Sequence, residues 1–360
     1  MTAPPRDSAV TSRRTFLTRA ATAAAVPTAA TLLGAAWPAS ASAAGSNSLP
    51  DYAPIPPGAL GPALNADGYF VGPIDDNLYW VTDSFYQAMF LTTREGVVLV
   101  DAPPTIGHNL LRAIDAVTSA NGRPSEVTHL VYSHSHADHI GASSLFGTDV
   151  VRIGHIETLR LLRRDDDPNR PTPTVTFDDK FVLEVGGETL ELAYHGPNQT
   201  PDNIFIFAPA HETLMAVDVV FPGWVPFKSL AIVQDIPGWI DAQDVAADYP
   251  WKKLVGGHLG RLGVRDDVLV QKQYIADLEA STRAAAASVD PTPFFKKYAP
   301  NAWAIFKAYL DQVSAQAAPP VIANYTGVLA AADVYTFLNA AAMLDSLRVD
   351  TGDLERVMNF

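Results

Sequence analysis

Hydrophobic residues in the middle of the chain come in short bursts rather than long stripes. Val97-Val98-Leu99-Val100 is an unbroken apolar run closed by Asp101 and Pro103-Pro104, which suits a strand buried on both faces. Comparable runs, rich in β-branched and aromatic residues, predict strands at 77–82, 88–93, 127–132, 150–153, 204–207, 214–217 and 253–255. The pair Gly186-Gly187 between 181–185 and 190–194 predicts a hairpin. Helical periodicity marks 108–119, 156–163 and 242–249, and a further helix is expected to start at Asp138 and run to Phe146.

Strands outnumber helices, and the two are interleaved. Two sheets packed face to face, with helices on the outer faces, would bury all of these runs. The expected fold class is therefore α/β, a four-layer αβ/βα sandwich over 69–265. The pattern changes after that. Residues 268–287, 293–317 and 321–347 read as almost wholly helical, which predicts a C-terminal helical extension over 266–360, placed beside the site. Residues 44–68 are rich in Pro and Gly (Pro50, Pro54, Pro56, Pro57, Gly58) and read as an extended arm rather than core.

Composition narrows the chemistry. The chain has 360 residues and no cysteine, so disulfides, thiolate ligands and a cysteine nucleophile are all excluded. A transition metal must be held by His, Asp, Glu or a softer substitute such as Gln. The formal net charge of −14 repels phosphate backbones, so no nucleic-acid partner is expected, and a small-molecule substrate is. No apolar stretch after the N-terminal region reaches the ~18 residues of a membrane span. The first 43 residues read as an address. Arg13-Arg14 precede Phe16-Leu17, an Ala-rich stretch follows, and Ala41-Ser42-Ala43 offers a small-residue cleavage site. The paired arginines resemble a twin-arginine (Tat) signal, which implies an exported protein, periplasmic or extracellular.

The candidate chemistry begins directly after the strand at 127–132. His134-Ser135-His136-Ala137-Asp138-His139 places three imidazoles and one carboxylate within six residues. Alternate residues of an extended segment point the same way, so His134 and His136 can grip one metal. Asp138 and His139, on the next turn, can reach a second metal a few Å away. These are suitable ligands for Zn²⁺. Two ions roughly 3.5–4 Å apart would hold an attacking water and stabilise the leaving atom together.

This motif resembles that of the metallo-β-lactamase superfamily, and further segments appear in the same order over residues 77–263. Leu99-Val100-Asp101 is similar to the strand whose terminal Asp supports the metal-binding loop, which makes Asp101 an outer hydrogen-bond acceptor rather than a ligand. Leu214-Met215-Ala216-Val217-Asp218 resembles the strand whose Asp bridges two metals. Gly256-Gly257-His258 resembles the motif whose His binds the second metal. The resemblance implies one or two Zn²⁺ per chain, with Asp138 and Asp218 orienting the nucleophile and moving its proton.

One segment departs from the family pattern. A His is usual where His195-Gly196-Pro197-Asn198-Gln199-Thr200 stands, and the matching position is Gln199. Three readings stay open: Gln199 is a weak third ligand beside His134 and His136, His195 replaces it, or the first site is mostly empty. His195 would also suit a substrate-facing acid or base. The remaining histidines, His108, His129, His155 and His211, read as structural or surface residues. Phe221, Trp224, Phe227 and Trp239 follow Asp218 and suit either an apolar wall of the site or ordinary core.

The resemblance implies hydrolysis of an ester, lactone, thioester or related bond. The family's zinc β-lactamases generally lack an Asp at the bridging position, so β-lactam hydrolysis is the alternative. A non-catalytic metal-binding protein with a degenerate first site is the rival from another class, and Gln199 is its support. A redox diiron role is disfavoured, since relatives with that chemistry typically carry Glu at the position of His136. The export reading predicts that replacing Arg13 and Arg14 together with Lys leaves unprocessed precursor inside the cell. Cell fractionation checks this, and normal export of the double variant would contradict the twin-arginine assignment.

Overall fold

The computed structural model describes residues 49–352. The proposed export segment 1–43 lies outside the described residues, and the strands and helices named below belong to the compact unit from Asp51 onward.

Strands β1 (Phe70–Asp75), β2 (Leu78–Thr82), β3 (Gln87–Thr92) and β4 (Val97–Val100) form an antiparallel meander. Helix α1 (Asn109–Asn121) then crosses to β5 (Val127–Val131), which lies parallel to β4. The short helix α2 (Ala137–Ile140) follows, then β6 (Val151–His155), helix α3 (Ile156–Asp165) and β7 (Val175–Phe177), with β6 and β7 also parallel. Together these strands make one sheet in the order β1 to β7. A second sheet has β8 (Lys180–Val185), β9 (Glu188–Ala193), β10 (Phe205–Ala208) and β11 (Thr213–Met215) in antiparallel succession. After the short turn α4 (Lys228–Ile232) and helix α5 (Ile236–Asp248), β12 (Lys253–Val255) adds to β11 in parallel.

The alternation of side chains explains the layering. Val98 and Val100 point inward and pack with Leu183, Leu192 and Ile206 of the second sheet. Val97 and Leu99 point the other way, against Leu110 and Ile114 of α1. On β10, Ile206 faces the inter-sheet core while Phe205 and Phe207 pack against Ala242 and Ala246 of α5. Each such side chain contributes roughly 1.5–3 kcal/mol on burial. The result is helix, sheet, sheet and helix, the expected four-layer sandwich.

The differences from the sequence expectations are local. Strand β1 contains Gly72 and Pro73, which hide its pattern; it lies at the sheet edge, where proline is tolerated, and its register shifts between Pro73 and Asp75. Strand β7 is only three residues long, between Pro173 and the turn before β8. The helix expected over 138–146 stops at Ile140, and a separate 3-10 turn covers Ser143–Phe146. Helix α5 starts six residues before its predicted onset: Pro237 suits a first turn, and Asp235 caps it by accepting from Gly238 N at 3.0 Å.

In the C-terminal region, α6 (Arg265–Ser288) and α7 (Thr292–Tyr298) precede α8 (Ala302–Tyr325) and α9 (Ala332–Val349). Helix α8 runs through Pro319-Pro320, where a break was expected. Both prolines face solvent, while Ala317, Ala318, Val321 and Tyr325 are buried. The break falls instead after Tyr325, at Gly327, whose φ of +85° favours glycine. No described helix is long and apolar enough to cross a membrane.

Two contacts tie outlying segments to the site. Asn339 of α9 is fully buried; its Oδ1 accepts from Leu230 N and its Nδ2 donates to Pro226 O, each at 2.8 Å. The Pro-rich arm is seated rather than loose: Ala53 N donates to Asp333 Oδ2 at 2.6 Å, and Ala59 O accepts from Trp224 Nε1 at 3.1 Å.

Candidate metal centre

The segments that follow strands carry most of the candidate ligands, and the short helix α2 carries Asp138 and His139. β4 ends at Asp101, which adopts φ +62°, a left-handed conformation that costs about 1–2 kcal/mol outside glycine. Two bonds hold it there: Ser133 N donates to Asp101 Oδ1 at 2.8 Å and Ser133 Oγ to Oδ2 at 2.7 Å. The Ser133 hydroxyl, its proton spent on Asp101, accepts from His134 Nδ1 at 3.0 Å. That contact puts the ring proton on Nδ1 and leaves Nε2 as a free lone pair, and His134 Nε2 is buried with no hydrogen-bond partner. Asp101 thus reaches the His134 ring through Ser133. Its own burial raises its pKa to about 6.

Asp218 follows β11 and also adopts a left-handed conformation, φ +61°. Its backbone is held by Trp239 Nε1, which donates to Asp218 O at 2.8 Å, and by Asp218 N donating to Gly256 O at 3.1 Å. Trp239 is therefore core. His258 follows β12 through Gly256-Gly257. A Cβ on Gly257 would lie 2.5 Å from Val217 Cγ1 and 3.2 Å from His139 Cε1, so only glycine lets this turn bring His258 in.

These deliveries converge on two groups, His134, His136 and Asp218 in one and Asp138, His139 and His258 in the other, with donor atoms within 4.8 Å of one another in each. Asp218 reaches both. Its Oδ2 lies 3.7 Å from His134 Nε2 and 3.4 Å from His139 Nε2, and its Oδ1 lies 3.0 Å from His258 Nε2. Asp138 Oδ2 stands 3.7 Å from His139 Nε2 and 3.8 Å from His258 Nε2. His139 Nε2 and His258 Nε2 are 3.1 Å apart.

The electrostatics of this cluster call for a cation. Burial alone would lower the pKa of His139, but Asp218, Asp138 and Asp101 together raise it to about 9. Burial would raise the Asp218 carboxyl, yet His139 and His258 hold it well below the usual carboxylate range. His134 is pushed well below the usual imidazole value by burial and by the neighbouring rings of His136 and His139. Neutral imidazoles and ionised carboxylates packed this closely are the donor set that a divalent ion takes.

Gln199 lies beside the first group. Its Nε2 is 3.5 Å from His136 Nδ1 and donates to Ala231 O at 3.2 Å, which leaves Oε1 buried and without a partner. That oxygen is the atom a metal would accept. The carbonyl of Ala231 is presented by an unusual turn: Ser229, Leu230, Ala231 and Ile232 all have positive φ, between 54° and 66°. His195 stands elsewhere. It is exposed, contacts Tyr249 Oη through Nε2 at 2.8 Å and packs edge-on against Phe205, and it joins neither group.

Two residues of the site went unread in the sequence. Ser133 is adjacent to His134, so its position was a signal. Tyr86 was not signalled: it reaches the site through a bridge pairing with His258, and its ring packs 4.7 Å from that of His258 and 5.6 Å from that of His139. Burial and the Asp138 carboxylate push the Tyr86 phenol up to about 12, so it stays protonated. Phe221, Trp224 and Phe227 line a cleft at the site and also pack into the hydrophobic core beneath it, Phe221 being almost fully buried. His155 stacks on Tyr194 at 3.9 Å and His211 lies between Asp75 and Glu188, both away from the centre.

The model of the Metallo-beta-lactamase superfamily matches residues 81–282, a span that holds every residue of both groups and Gln199. The chain belongs to this superfamily. A relative from Nocardioides sp. (strain JS1661), 2,4-dinitroanisole O-demethylase subunit alpha, is 25% identical over 225 residues, 61% of this chain and 64% of that one. Metallo-beta-lactamase type 2 of Elizabethkingia meningoseptica is 26% identical over 160 residues, 42% of this chain and 61% of that one. The chain thus spans less than two thirds of the length of these curated relatives. The solved structure of a metallo-beta-lactamase from Pontibacter korlensis has 22% identity and a TM-score of 0.48, covering 57% of this chain and 97% of that one.

The raised pKa of His139 generates a test. At pH 7.5 the metal-free protein should carry a proton on this ring, and a metal takes only the neutral imidazole, so zinc binding should expel about one proton per chain from it. Calorimetric zinc titrations in buffers of different ionisation enthalpy should show that release, fading as the pH rises through about 9. Enthalpies independent of the buffer at pH 7.5 would contradict the assignment.

Proposed function

We propose that the chain is a zinc-dependent hydrolase with two metal positions. His134, His136 and Gln199 would hold the first ion and Asp138, His139 and His258 the second, with Asp218 within reach of both. The observation that carries this reading is the place of Asp218, whose two oxygens lie within 3.7 Å of ring nitrogens from both groups. Zinc bound here would supply a water of pKa lowered toward ~7 and a Lewis acid for the oxygen of the electrophile. The protein residues do the rest. Asp138, partly exposed at the cleft, orients the attacking water and accepts its proton. Asp218, buried and ionised, fixes the spacing of the two positions. Tyr86, protonated and beside Asp138, offers a hydrogen-bond donor at the cleft.

An ester, lactone, thioester or related bond fits best, because the bridging position carries Asp. The relatives named as metallo-beta-lactamases keep β-lactams as the alternative, and the relative named for demethylating 2,4-dinitroanisole adds an aryl ether. The free Oε1 of Gln199 supports a filled first site over a degenerate one. Arg13-Arg14 and the small-residue site Ala41-Ser42-Ala43 support a mature protein that acts outside the cytoplasm.

A panel of chromogenic esters, lactones, thioesters, phosphodiesters and a cephalosporin tests the proposal, with metal analysis alongside. Turnover should vanish with a chelator and return with zinc. His139→Ala and His258→Ala should each lower turnover by more than about 100-fold and reduce bound zinc. Gln199→His should raise retained zinc from about one toward two per chain after dialysis, because imidazole binds zinc more strongly than an amide oxygen. Wild-type turnover in either alanine variant would show that the ligands are wrongly assigned.

A further inference from the structure

A cleft of about 890 Å³ opens onto the metal centre, with Asp138 and His258 in its wall. We propose that the substrate is uncharged and carries a bulky apolar group that fills this cleft. The inference rests on the hydrolase reading of the metal centre and names the class of substrate that the centre receives.

Three parts of the chain build the walls. The Pro-rich arm contributes Leu60 and Leu64, the turn before β3 contributes Phe85 and Tyr86, and α9 contributes Tyr335. The segment after Asp218 supplies the inner wall. Phe221 and Phe227 stand 5.8 Å apart, and the Phe227 ring lies 5.2 Å from that of His258. Aromatic rings of the wall thus stand against a proposed metal ligand. The size is that of a drug-sized ligand pocket.

The rim is where the wall departs most from an ordinary protein surface. Leu60, Phe85 and Ile232 are 55%, 69% and 58% exposed, and all three border this cleft. Soluble chains seldom group large exposed apolar side chains unless something binds there. Ile232 sits at φ +55°, a conformation that a β-branched residue avoids. Asn339 holds the preceding turn through Leu230 N, so the fold maintains a strained backbone at the edge of the cleft.

Charge supplies the second half of the proposal. Among the described residues that line the cleft there is no Lys or Arg. A carboxylate, sulfate or phosphate on the substrate would find no side-chain cation and would face Asp138. Arg261, nearby in sequence to His258, is committed to Asp267 at 2.6 and 2.8 Å. An anionic group seated in the apolar part of the cleft, beyond reach of the metal positions, would lack a cationic side chain, which disfavours it there.

The test uses the zinc-loaded full protein and a pair of dyes with one ring system, N-phenyl-1-naphthylamine and its sulfonated form. The neutral dye should bind at least about tenfold more tightly, and 4-nitrophenyl octanoate should displace it. Leu64→Glu and Phe85→Glu, both at exposed positions, should weaken dye binding at least about tenfold while zinc content stays unchanged. Turnover of 4-nitrophenyl octanoate should exceed that of the acetate in kcat/KM, and the ratio should fall in both variants. Equal binding of the sulfonated dye, or neutral-dye binding insensitive to both variants, would overturn the proposal. Variant-sensitive dye binding with no ester turned over supports the cleft assignment and counts against the hydrolase reading. Turnover indifferent to chain length, with no dye bound, overturns the cleft assignment and leaves the hydrolase reading standing.

Discussion

The buried carboxylate of Asp218 is the constraint on which the rest of this structure turns. It lies at the end of β11 in a left-handed conformation, ionised, and surrounded by the imidazoles of His134, His139 and His258. A charge in that position is tolerable only with cations around it. Without a metal, a proton on His139 would serve, since Asp218, Asp138 and Asp101 push that ring up to about 9. A divalent ion in the same place satisfies the carboxylate and the neutral rings together. The sandwich supports this arrangement: the segments after β5, β11 and β12 carry His134, Asp218 and His258, and the inter-sheet core includes residues of all three strands.

Strain is concentrated at the same edge. Asp101, Asp218 and the turn at 229–232 all adopt positive φ without glycine, and each is held by bonds from a neighbouring element. Ser133 holds Asp101, Trp239 holds the Asp218 carbonyl, and Asn339 of the C-terminal helices holds Leu230. The helical extension therefore does more than cover a surface. It presents the Ala231 carbonyl to the Gln199 amide, and so determines which end of that amide is free.

What could be read from the sequence follows from how local each signal was. The run at 97–100 and the Gly186-Gly187 hairpin depend on neighbours in the chain, and both form as expected; the His134 to His139 motif is equally local, and its side chains gather with Asp218 and His258. The edge strand β1 and the short β7 were hidden because proline and brevity erase the alternation that marks a strand. The continuous α8 was misread because the rule against interior proline applies to an isolated helix, and here packing of Ala317, Val321 and Tyr325 overrides it. Tyr86 and the cleft depend on contacts between distant segments, the arm, β3 and α9, and no local pattern carries them. The choice between Gln199 and His195 was open in the sequence; the fold puts one beside His136 and the other on an exposed face against Tyr249.

The central claim is that Asp218 joins two metal positions. Anomalous diffraction at the zinc edge, from crystals of zinc-loaded protein, tests it most directly. The account predicts two peaks, one among His134, His136 and Gln199 and the other among Asp138, His139 and His258, with Asp218 touching both. A single peak, or peaks that Asp218 does not share, would contradict it.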